Sequence, residues 1–393
     1  MRNFALKLIT EYDTGVRMIF NFNTKTNRKG VSYMNKLVAK IEKTTLTLLI
    51  IVLLSGVFML TGCGSGGEQA DELVVYSARN ERFVNELLDK FTEDTGIEVK
   101  ALHGADPQQI EEEANNVQAD IFISNDLGAL GYLDEQGLLQ GSEPEGIESI
   151  PENFRAENNA FFAISLRSRG FIYNKDMISE EDMPSSGEDL FDSKWADVEG
   201  GYAITRGGNG GMIGHVSALR HEWGDDKTSE WIAAIREHAG GIYEGHSDVR
   251  RAVGAGEHAF GLVNNYYFHQ QLMEPQDNNV GFIYLDQGQD EMGTVANAAG
   301  VGLVKGAPHQ ENAETFLDWL LEEENQAKFV GESLELLINS EYGDKVEYPS
   351  EVEPHIVDTD ELKIQEMPVK ELGNYYQDTT ELIEESGLDL ELR

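Results

Sequence analysis

Short apolar runs alternate along residues 73–136 with segments in which apolar residues recur at helical spacing. The runs predict buried strands, because polar residues or glycine bound each of them. These strands are predicted at Leu73–Tyr76, Ile97–Leu102 and Ala119–Ile123. A helix with Phe83, Leu87 and Phe91 on its apolar side is predicted after the first strand, and Gly96 ends it. Strands that alternate with helices indicate a parallel α/β architecture.

Two asparagines lie within four residues after the ends of predicted strands. Asn80 comes after the first strand and Asn125 comes after the third. Asn80 is also predicted to cap the helix that follows it, because a side-chain oxygen can accept from a free backbone N–H there. In open α/β sheets, ligands bind beyond the carboxyl ends of the strands. Both asparagines are therefore candidate site residues.

The pattern after residue 160 predicts a second set of strands and helices. Phe161–Arg169 and Gly170–Asn174 predict strands that cross into a second lobe. The other predicted strands are Tyr202–Thr205, Leu262–Val263 and Ala296–Val304. The predicted helices are Met212–Trp223, Asp248–Val253 with Ser247 as its cap, Ala313–Val330 and Val369–Ser386. The first lobe is predicted to comprise 73–166 plus 297–347, and the second 167–296 plus 348–393.

The N-terminal region predicts a secretory signal. A segment with three lysines precedes the apolar run Leu46–Leu60, and small residues and Cys63 follow it. Residues 1–62 are therefore assigned to a signal peptide and 63–72 to a tether, with Met34 as an alternative start. Leu60-Thr-Gly-Cys63 resembles the bacterial lipobox, in which the cysteine is acylated. The alternative is a plain transmembrane anchor.

Charge narrows the range of partners. The chain has a formal net charge of -41, and residues 1–62 are basic, so the rest is strongly acidic. Such a surface repels phosphates, which excludes nucleic acid as a partner, and it indicates a saline habitat that screens self-repulsion. Cys63 is the single cysteine, so no internal disulfide is possible.

The turn Arg206-Gly-Gly-Asn-Gly-Gly211 is a candidate anion site. It lies between a predicted strand and a predicted helix, where exposed backbone N–H groups can hold an anion. It is not a nucleotide P-loop, because no Gly-Lys-Ser/Thr follows. A flexible turn without a ligand is the alternative interpretation.

Tyr266 and Tyr267 are the strongest candidate for chemistry. They follow a predicted strand that ends at Asn264–Asn265, so they fall in the first turn of a helix. There, two successive side chains can point into one cleft, and the positive helix end favours phenolate. Two phenolates suit a hard, highly charged cation. The alternative is ordinary packing of one aromatic in the core and one on the surface, and that interpretation is preferred for Tyr375–Tyr376, which lies inside a helical pattern.

The histidines offer a weaker alternative. Six of them fall between His215 and His269, which raises the possibility of a zinc or copper site. No pair has the spacing of a structural metal site. They are interpreted as scattered surface residues.

Six motifs occur in the order and spacing of a known family. They are Val75-Tyr-Ser-Ala-Arg79, Phe91-Thr-Glu-Asp-Thr-Gly-Ile97, Ala119-Asp-Ile-Phe122, Leu166-Arg-Ser-Arg169, Tyr173-Asn-Lys175 and Asn264-Asn-Tyr-Tyr267. The chain resembles the ferric-iron-binding proteins of bacterial iron-uptake ABC transporters. This resemblance implies the type 2 periplasmic binding protein fold, with two Rossmann-like α/β lobes joined by two hinge strands. It also implies that Tyr266 and Tyr267 bind Fe³⁺.

The resemblance carries over to other positions less completely. One subgroup has a histidine where this chain has Asn80 and a glutamate where it has Asn125, and another adds tyrosines at Glu81 and near Gly211. Glu81 is therefore kept as a further candidate metal ligand. A synergistic anion such as carbonate, phosphate or citrate is implied near the turn and its neighbours. The residues implied for this anion or as charges around the metal site are Gly207, Gly208, Asn209, Gly210, His246, Asn264, Arg167, Asn80 and Asn125.

The favoured function is a monomeric, lipid-anchored binding protein outside the cytoplasm that delivers Fe³⁺ to an ABC transporter permease with a separate ATPase. One alternative is a binding protein for an organic ligand or oxyanion such as a phosphonate, and another is a ferric chelate as the ligand. An enzyme is disfavoured, because no Ser-His-Asp, Cys-His or paired-carboxylate arrangement falls in the predicted cleft.

Overall fold

A computed structural model describes residues 6–11, 17–22, 72–366, 369–388 and 392. The chain divides into two units, Met1–Glu68 and Gln69–Arg393. In the first unit, strands β1 (Leu6–Glu11) and β2 (Arg17–Phe22) pair antiparallel. The predicted apolar signal segment, Cys63 and most of the tether lie outside the described residues. Within the described residues, no helix has both the length and the apolarity to cross a bilayer.

The second unit is built on a nine-stranded sheet. Its strands are β3 (Glu72–Ser77), β4 (Glu98–His103), β5 (Ile121–Ser124), β6 (Phe161–Asn174), β7 (Tyr202–Thr205), β8 (Gly241–Tyr243), β9 (Phe260–Asn264), β10 (Val280–Tyr284) and β11 (Ala296–Leu303). Their order is β4-β3-β5-β11-β6-β9-β7-β8, and β10 pairs with β6. The outer pairs, which β3 and β7 make, are parallel, whereas the pairs that β6 and β11 make are antiparallel. The parallel architecture predicted from sequence therefore holds for the outer strands alone.

Helices cover the sheet. They are α1 (Asn85–Thr95), α2 (Pro107–Glu112), α3 (Leu127–Glu135), α4 (Gly210–Trp223), α5 (Asp225–His238), α6 (His246–Gly254), α7 (Asn265–Leu272), α8 (Gln310–Leu320), α9 (Glu323–Ser333) and α10 (Val369–Ser386). Short 3₁₀ helices lie at Glu81–Phe83, Ile147–Ser149, Glu152–Phe154, Glu180–Asp182, Gly187–Phe191, Ser193–Ala196, Ser340–Lys345, Glu353–His355 and Thr359–Glu361. Asn80 caps the first of these, because its side chain accepts from the backbone N–H of Arg82.

Strand β6 connects two hydrophobic cores. All 14 of its residues are buried; its first half pairs with β11 and its second half with β9 and β10. One core draws on residues between Leu73 and Leu166 and between Ala298 and Ile338. The other core draws mainly on residues between Phe171 and Leu285. The middle of β6 therefore places Arg167 and Arg169 between the two cores.

The structure corrects two helix predictions and adds a helix and a strand that the sequence did not predict. The single helix predicted over Ala313–Val330 is two helices, because Glu322 has extended backbone angles and starts a new N-terminus with Glu323 and Glu324 in its first turn. Ser247 does not cap its helix, which begins one residue earlier after Gly245. Helix α5 and strand β10 were absent from the sequence prediction.

Candidate functional site

The tyrosine pair lies at the junction of β9 and α7. Asn264 ends the strand in an extended conformation, and the buried side chain of Asn265 accepts a hydrogen bond from the backbone N–H of Ser168 at 3.0 Å. This bond fixes the start of the helix against β6. The first turn then places the rings of Tyr266 and Tyr267 with centroids 4.2 Å apart and planes inclined by 33°. Both side chains therefore reach the same cavity.

The cavity has a volume of about 870 Å³ and collects most of the residues named from sequence. The predicted residues that line it are Asn80, Glu81, Asn125, Arg167, Asn209, Gly210, His246, Asn264, Tyr266 and Tyr267. Gly207 and Gly208 are not among the lining residues. The predicted lipidation site, Cys63, lies outside the described residues. The role of each lining residue as a ligand stays a prediction.

The tyrosines sit in an apolar wall. Tyr266 is 9% exposed and packs with Leu334 and Val352. Its ring and that of Phe83 pack edge to face, with the ring centroids 6.5 Å apart. Burial raises the pKa of Tyr266 well above its usual value, and the nearby Tyr267 adds to this, while Arg167 opposes it. The expectation that the helix end favours phenolate is therefore wrong for Tyr266 in the ligand-free protein. A bound cation reverses this preference, because it replaces the phenolic proton.

Arg167 belongs to a buried ionic cluster. Glu335, which is 1% exposed, pairs with Arg79 at 3.0 Å and lies 3.9 Å from the Nε of Arg167. The hydroxyl of Ser165 also donates to Glu335. One carboxylate thus faces two guanidinium groups, so the cluster carries a net positive charge beside Tyr266.

Arg169 is held in a different way. It is 4% exposed, and its Nη1 donates to Nε2 of His246 at 3.2 Å and to Oδ1 of Asn264 at 3.1 Å. Its Nε and Nη2 have no hydrogen-bond partner in the described part of the chain. Burial lowers the pKa of Arg169 to about 9. Among the described residues, no ion pair includes Arg169. A buried cation with free donors indicates that an anion completes its surroundings.

Burial and the charge of Arg169 hold the pKa of His246 well below its usual value. His246 is therefore neutral and accepts from Arg169 through Nε2. Its ring centroid lies 5.1 Å from that of Tyr267. A Cβ at Gly211 would lie 2.3 Å from Nε2 of His246, which leaves no room for the extra tyrosine of the tyrosine-rich subgroup.

The glycine-rich turn exposes fewer amides than its sequence predicts. The N–H of Gly207 donates to the carbonyl of Leu388, and the N–H of Asn209 donates to that of Arg206. The side chain of Asn209 caps α4 by accepting from the N–H of Gly211 at 3.0 Å. Leu388, which follows α10, therefore occupies the backbone N–H of Gly207, so this N–H is not available to an anion. Three positions of the predicted anion turn line the cavity, namely Asn209, Gly210 and Gly211.

Three other predicted side chains make local contacts. Asn80 caps its 3₁₀ helix, and Asn125 donates from Nδ2 to the carbonyl of Ala78 at 2.6 Å. Glu81 is exposed at the cavity and accepts from the side chain of Asn85 at 2.9 Å. Of these three side chains, Glu81 is the one that is negatively charged, and it is exposed at the cavity.

The main feature that the sequence analysis missed is the charge of the cavity. Six arginines line it, against three carboxylates. The arginines are Arg79, Arg82, Arg167, Arg169, Arg250 and Arg251, and the carboxylates are Glu81, Asp126 and Glu335. A positive cavity inside a chain with a net charge of -41 indicates a negatively charged ligand or ligand complex. The available signal was the two arginines in Leu166-Arg-Ser-Arg169, which lie in the strand that crosses between the lobes.

The described histidines form no metal site of their own. Within the described residues, no three His, Cys, Asp or Glu side chains are grouped to hold a metal ion. The interpretation of the six histidines as surface residues is nevertheless wrong for four of them, since they are buried. The buried ones are His215, His246, His258 and His269.

Comparisons with known proteins agree with this geometry. The chain is 32% identical over 290 residues to iron uptake protein A1 of Synechocystis, an alignment that covers 68% of this chain and 78% of that protein. It is 28% identical to the Fe(3+)-binding periplasmic protein of Serratia marcescens, covering 68% and 79%. The structure of the Trichodesmium protein IdiA (FutA), in complex with iron and citrate, superposes with a TM-score of 0.69 at 26% identity, covering 80% of this chain and 99% of that one.

These similarities confirm the predicted type 2 periplasmic binding protein fold. They also confirm that the relatives are binding proteins and not enzymes. Residues 86–347 match the family described as bacterial extracellular solute-binding proteins. The chain, with its cavity between two α/β cores, belongs to this family of bacterial extracellular solute-binding proteins.

Proposed function

We propose that the protein binds ferric iron together with an anion and delivers it to an ABC transporter permease with a separate ATPase. The observation that carries this proposal is the pair of phenols, Tyr266 and Tyr267, in one cavity lined by arginines. Phenolate is a hard oxygen ligand of iron. The relatives named above for iron uptake and Fe(3+) binding support the same metal.

Charge explains why an anion is needed. Two phenolates offset two of the three charges of Fe³⁺, and the surrounding cavity has more arginines than carboxylates. A bare ferric ion would therefore meet repulsion, whereas a complex of iron with carbonate, phosphate or citrate brings compensating charge. Among the buried arginines that line the cavity in the described part of the chain, Arg169 is the one without an ion pair, since Arg79 and Arg167 lie beside Glu335 and Arg250 pairs with Glu274.

A site for an oxyanion alone would use the arginines and would not need two phenols. The phenols therefore favour a ferric complex over the phosphonate-type alternative. Among the ferric options, the ion with a small anion and a preformed ferric chelate place the same demand on Tyr266 and Tyr267, and they differ in the contacts that the anion makes.

The position of β6 supports a hinge between two lobes, 73–166 plus 297–347 and 167–296 plus 348–393. The two cores divide the described chain in the same way between residues 73 and 338. Closure of the lobes around the ferric complex would bury it, because Tyr266 of one lobe already contacts Phe83 and Leu334 of the other.

The direct test is the visible absorption of the purified protein. Ferric iron bound by phenolate absorbs visible light, so the full chain loaded with iron and bicarbonate should be coloured. Tyr266→Phe and Tyr267→Phe should each remove the band, while Tyr375→Phe, in α10, should keep it. Tight iron binding that survives the double substitution at 266 and 267 would contradict the proposed site.

Anchoring is a separate part of the proposal. Leu60-Thr-Gly-Cys63 supports acylation of Cys63 and a location on the outer face of the cell membrane. The wild-type protein should then fractionate with membranes, and Cys63→Ala should carry no lipid. A mature N-terminus at any residue other than Cys63 would refute the lipoprotein assignment without affecting the iron site.

A further inference from the structure

One edge of strand β6 changes its hydrogen-bond partner at Ser168. Two residues earlier, Leu166 exchanges backbone hydrogen bonds of 2.8 and 2.9 Å with Leu336, which belongs to the first core. Two residues later, Gly170 pairs with Val263 of β9. Alternate residues of a strand direct their N–H groups to the same edge, so the N–H of Ser168 faces the gap between these two partners.

The side chain of Asn265 fills this gap. Its Oδ1 accepts from the N–H of Ser168 at 3.0 Å, in the place where a backbone carbonyl would continue the ladder of the sheet. Strand β9 ends one residue earlier, at Asn264, and α7 begins at Asn265. The side chain of Asn265 therefore extends the strand, while its backbone starts the helix that carries Tyr266 and Tyr267.

The burial of Asn265 indicates that this bond has a purpose beyond packing. The residue is 0% exposed and does not line the cavity. Its Nδ2 has no hydrogen-bond partner in the described part of the chain. An apolar side chain of the same size would avoid the cost of burying this unpaired amide group. Any effect of Asn265 on a ligand must therefore act through the turn that it holds.

Ser168 is a firm anchor, because it is also held from its other side. It pairs with Ala296 of β11, and its hydroxyl lies 2.7 Å from that of Thr294. The hydroxyl of Thr294 donates in turn to the carbonyl of Arg169 at 2.8 Å. The backbone group that Asn265 binds is thus fixed where β6 passes from one core to the other.

We propose that Asn265 is a positioning residue for the tyrosine pair: by its bond to Ser168 it holds the first turn of α7 against β6, so that both phenol oxygens can bind one ferric ion. This inference rests on the proposed ferric function. Metal ligands bind well only when surrounding groups hold them to within a fraction of an ångström, and loss of such a group weakens metal binding. Iron affinity and the visible band both depend on an acceptor oxygen at position 265.

The experiment follows the visible band of the full chain during titration with ferric iron and bicarbonate, and a competing chelator gives the affinity. Asn265→Leu removes the acceptor at nearly constant size. It should weaken ferric binding by about tenfold, the effect of losing one hydrogen bond, and shift the band, because the two phenolates no longer share one geometry. Asn265→Asp keeps an acceptor oxygen at the same atom and should retain the band of the wild type.

Asn325→Leu in α9 is the matched control. Asn325 is 1% exposed and lies outside the cavity, and its Nδ2 donates to the carbonyl of Trp319 at 2.8 Å. This variant also loses a buried amide bond, so its thermal unfolding midpoint should fall, whereas its band and its affinity should not change. A general loss of stability is thereby separated from a loss of tyrosine geometry.

The outcomes separate the positioning role from the ferric function. A folded Asn265→Leu protein with the band and affinity of the wild type would overturn the positioning role and keep the ferric function. Equal losses in Asn265→Leu and Asn265→Asp would overturn it as well, since the acceptor oxygen would not be responsible. If Asn265→Leu does not fold, Asn265→Ala removes the acceptor without adding apolar volume and takes its place.

If the wild type does not bind ferric iron, the ferric function fails, and hydrogen exchange in the ligand-free protein then decides the positioning role. The amide of Ser168 and the first turn of α7 should exchange faster in Asn265→Leu than in the wild type and in Asn265→Asp. Equal exchange in all three proteins would show that Asn265 does not hold this turn.

Discussion

Two buried arginines line the same cavity and are stabilised in different ways. Arg79 pairs with the buried carboxylate of Glu335 at 3.0 Å and lies over the ring of Phe329. Arg169 contacts the neutral groups of His246 and Asn264, and no ion pair among the described residues includes it, although both arginines keep two nitrogens without a hydrogen-bond partner there. A charge that the chain neutralises itself holds structure together, whereas a charge that it leaves open is available to a ligand.

The two arginines also differ in the segments that they connect. Glu335 lies in the segment that follows α9, and its ion pairs with Arg79 and Arg167 connect this segment to the regions after β3 and within β6. The next residue, Leu336, forms a β-bridge with Leu166 of β6. Arg169 lies two residues from Arg167 along β6, and among the described residues it makes no ion pair. Arg167 therefore belongs to a structural cluster, whereas under the proposed function Arg169 is available to a ligand.

The largest expected effect on the free energy of unfolding comes from the loss of the carboxylate that neutralises the buried arginines. Glu335→Gln leaves Arg79 and Arg167 buried without a carboxylate, so the free energy of unfolding should fall by about 3–5 kcal/mol. Urea denaturation of the ligand-free protein measures this. Glu323→Gln breaks an exposed ion pair with Lys345, which solvent screens, so it should lower the free energy of unfolding far less. Equal effects of the two substitutions would mean that Glu335 does not neutralise the buried arginines.

A smaller loss of stability is expected when the pH is lowered, because burial keeps several histidines neutral in the folded protein. Burial lowers the pKa of His269 to about 4, and it lowers those of His215 and His246 well below the usual value. Between pH 6.5 and about 4, the unfolded chain binds a proton at His269 that the folded chain does not, so stability decreases as the pH falls. His269 alone should account for on the order of 3 kcal/mol at the lower end of this window.

The measurement is the free energy of unfolding as a function of pH. His269→Asn retains a donor for the carbonyl of Leu334 and should flatten part of the decrease. A slope that is identical in the wild type and in His269→Asn would show that His269 is not neutral in the fold.

The smallest effect on stability is expected at Arg169, which makes no ion pair among the described residues. Arg169→Met removes a buried cation that no carboxylate offsets, so the free energy of unfolding of the ligand-free protein should stay the same or rise by about 1 kcal/mol. Arg79→Met should lower it instead, since Glu335 then loses its closest partner. A strong loss of stability in Arg169→Met would assign Arg169 to the structural cluster and not to ligand binding.

Much of the fold follows from local patterns. The alternation of apolar runs and helical stripes predicts β3, β4, β5 and α1 close to their observed bounds, because each is decided by a few neighbouring residues. Val369–Ser386 is a helix over the predicted range. The break between α8 and α9 escaped prediction, because both helices present apolar residues at one continuous spacing and packing decides where the chain bends.

The sequence by itself determined the tyrosine pair. A strand that ends at Asn264 and a helix that begins at once place Tyr266 and Tyr267 in one helical turn, and this depends on adjacent residues alone. The tertiary structure decided the surroundings. Glu335 reaches Arg79 across 256 positions and Arg169 meets His246 across 77, and no local pattern encodes which of two arginines in one strand finds a carboxylate. The charge of a site depends on contacts between distant segments, so it emerges only when those segments pack together.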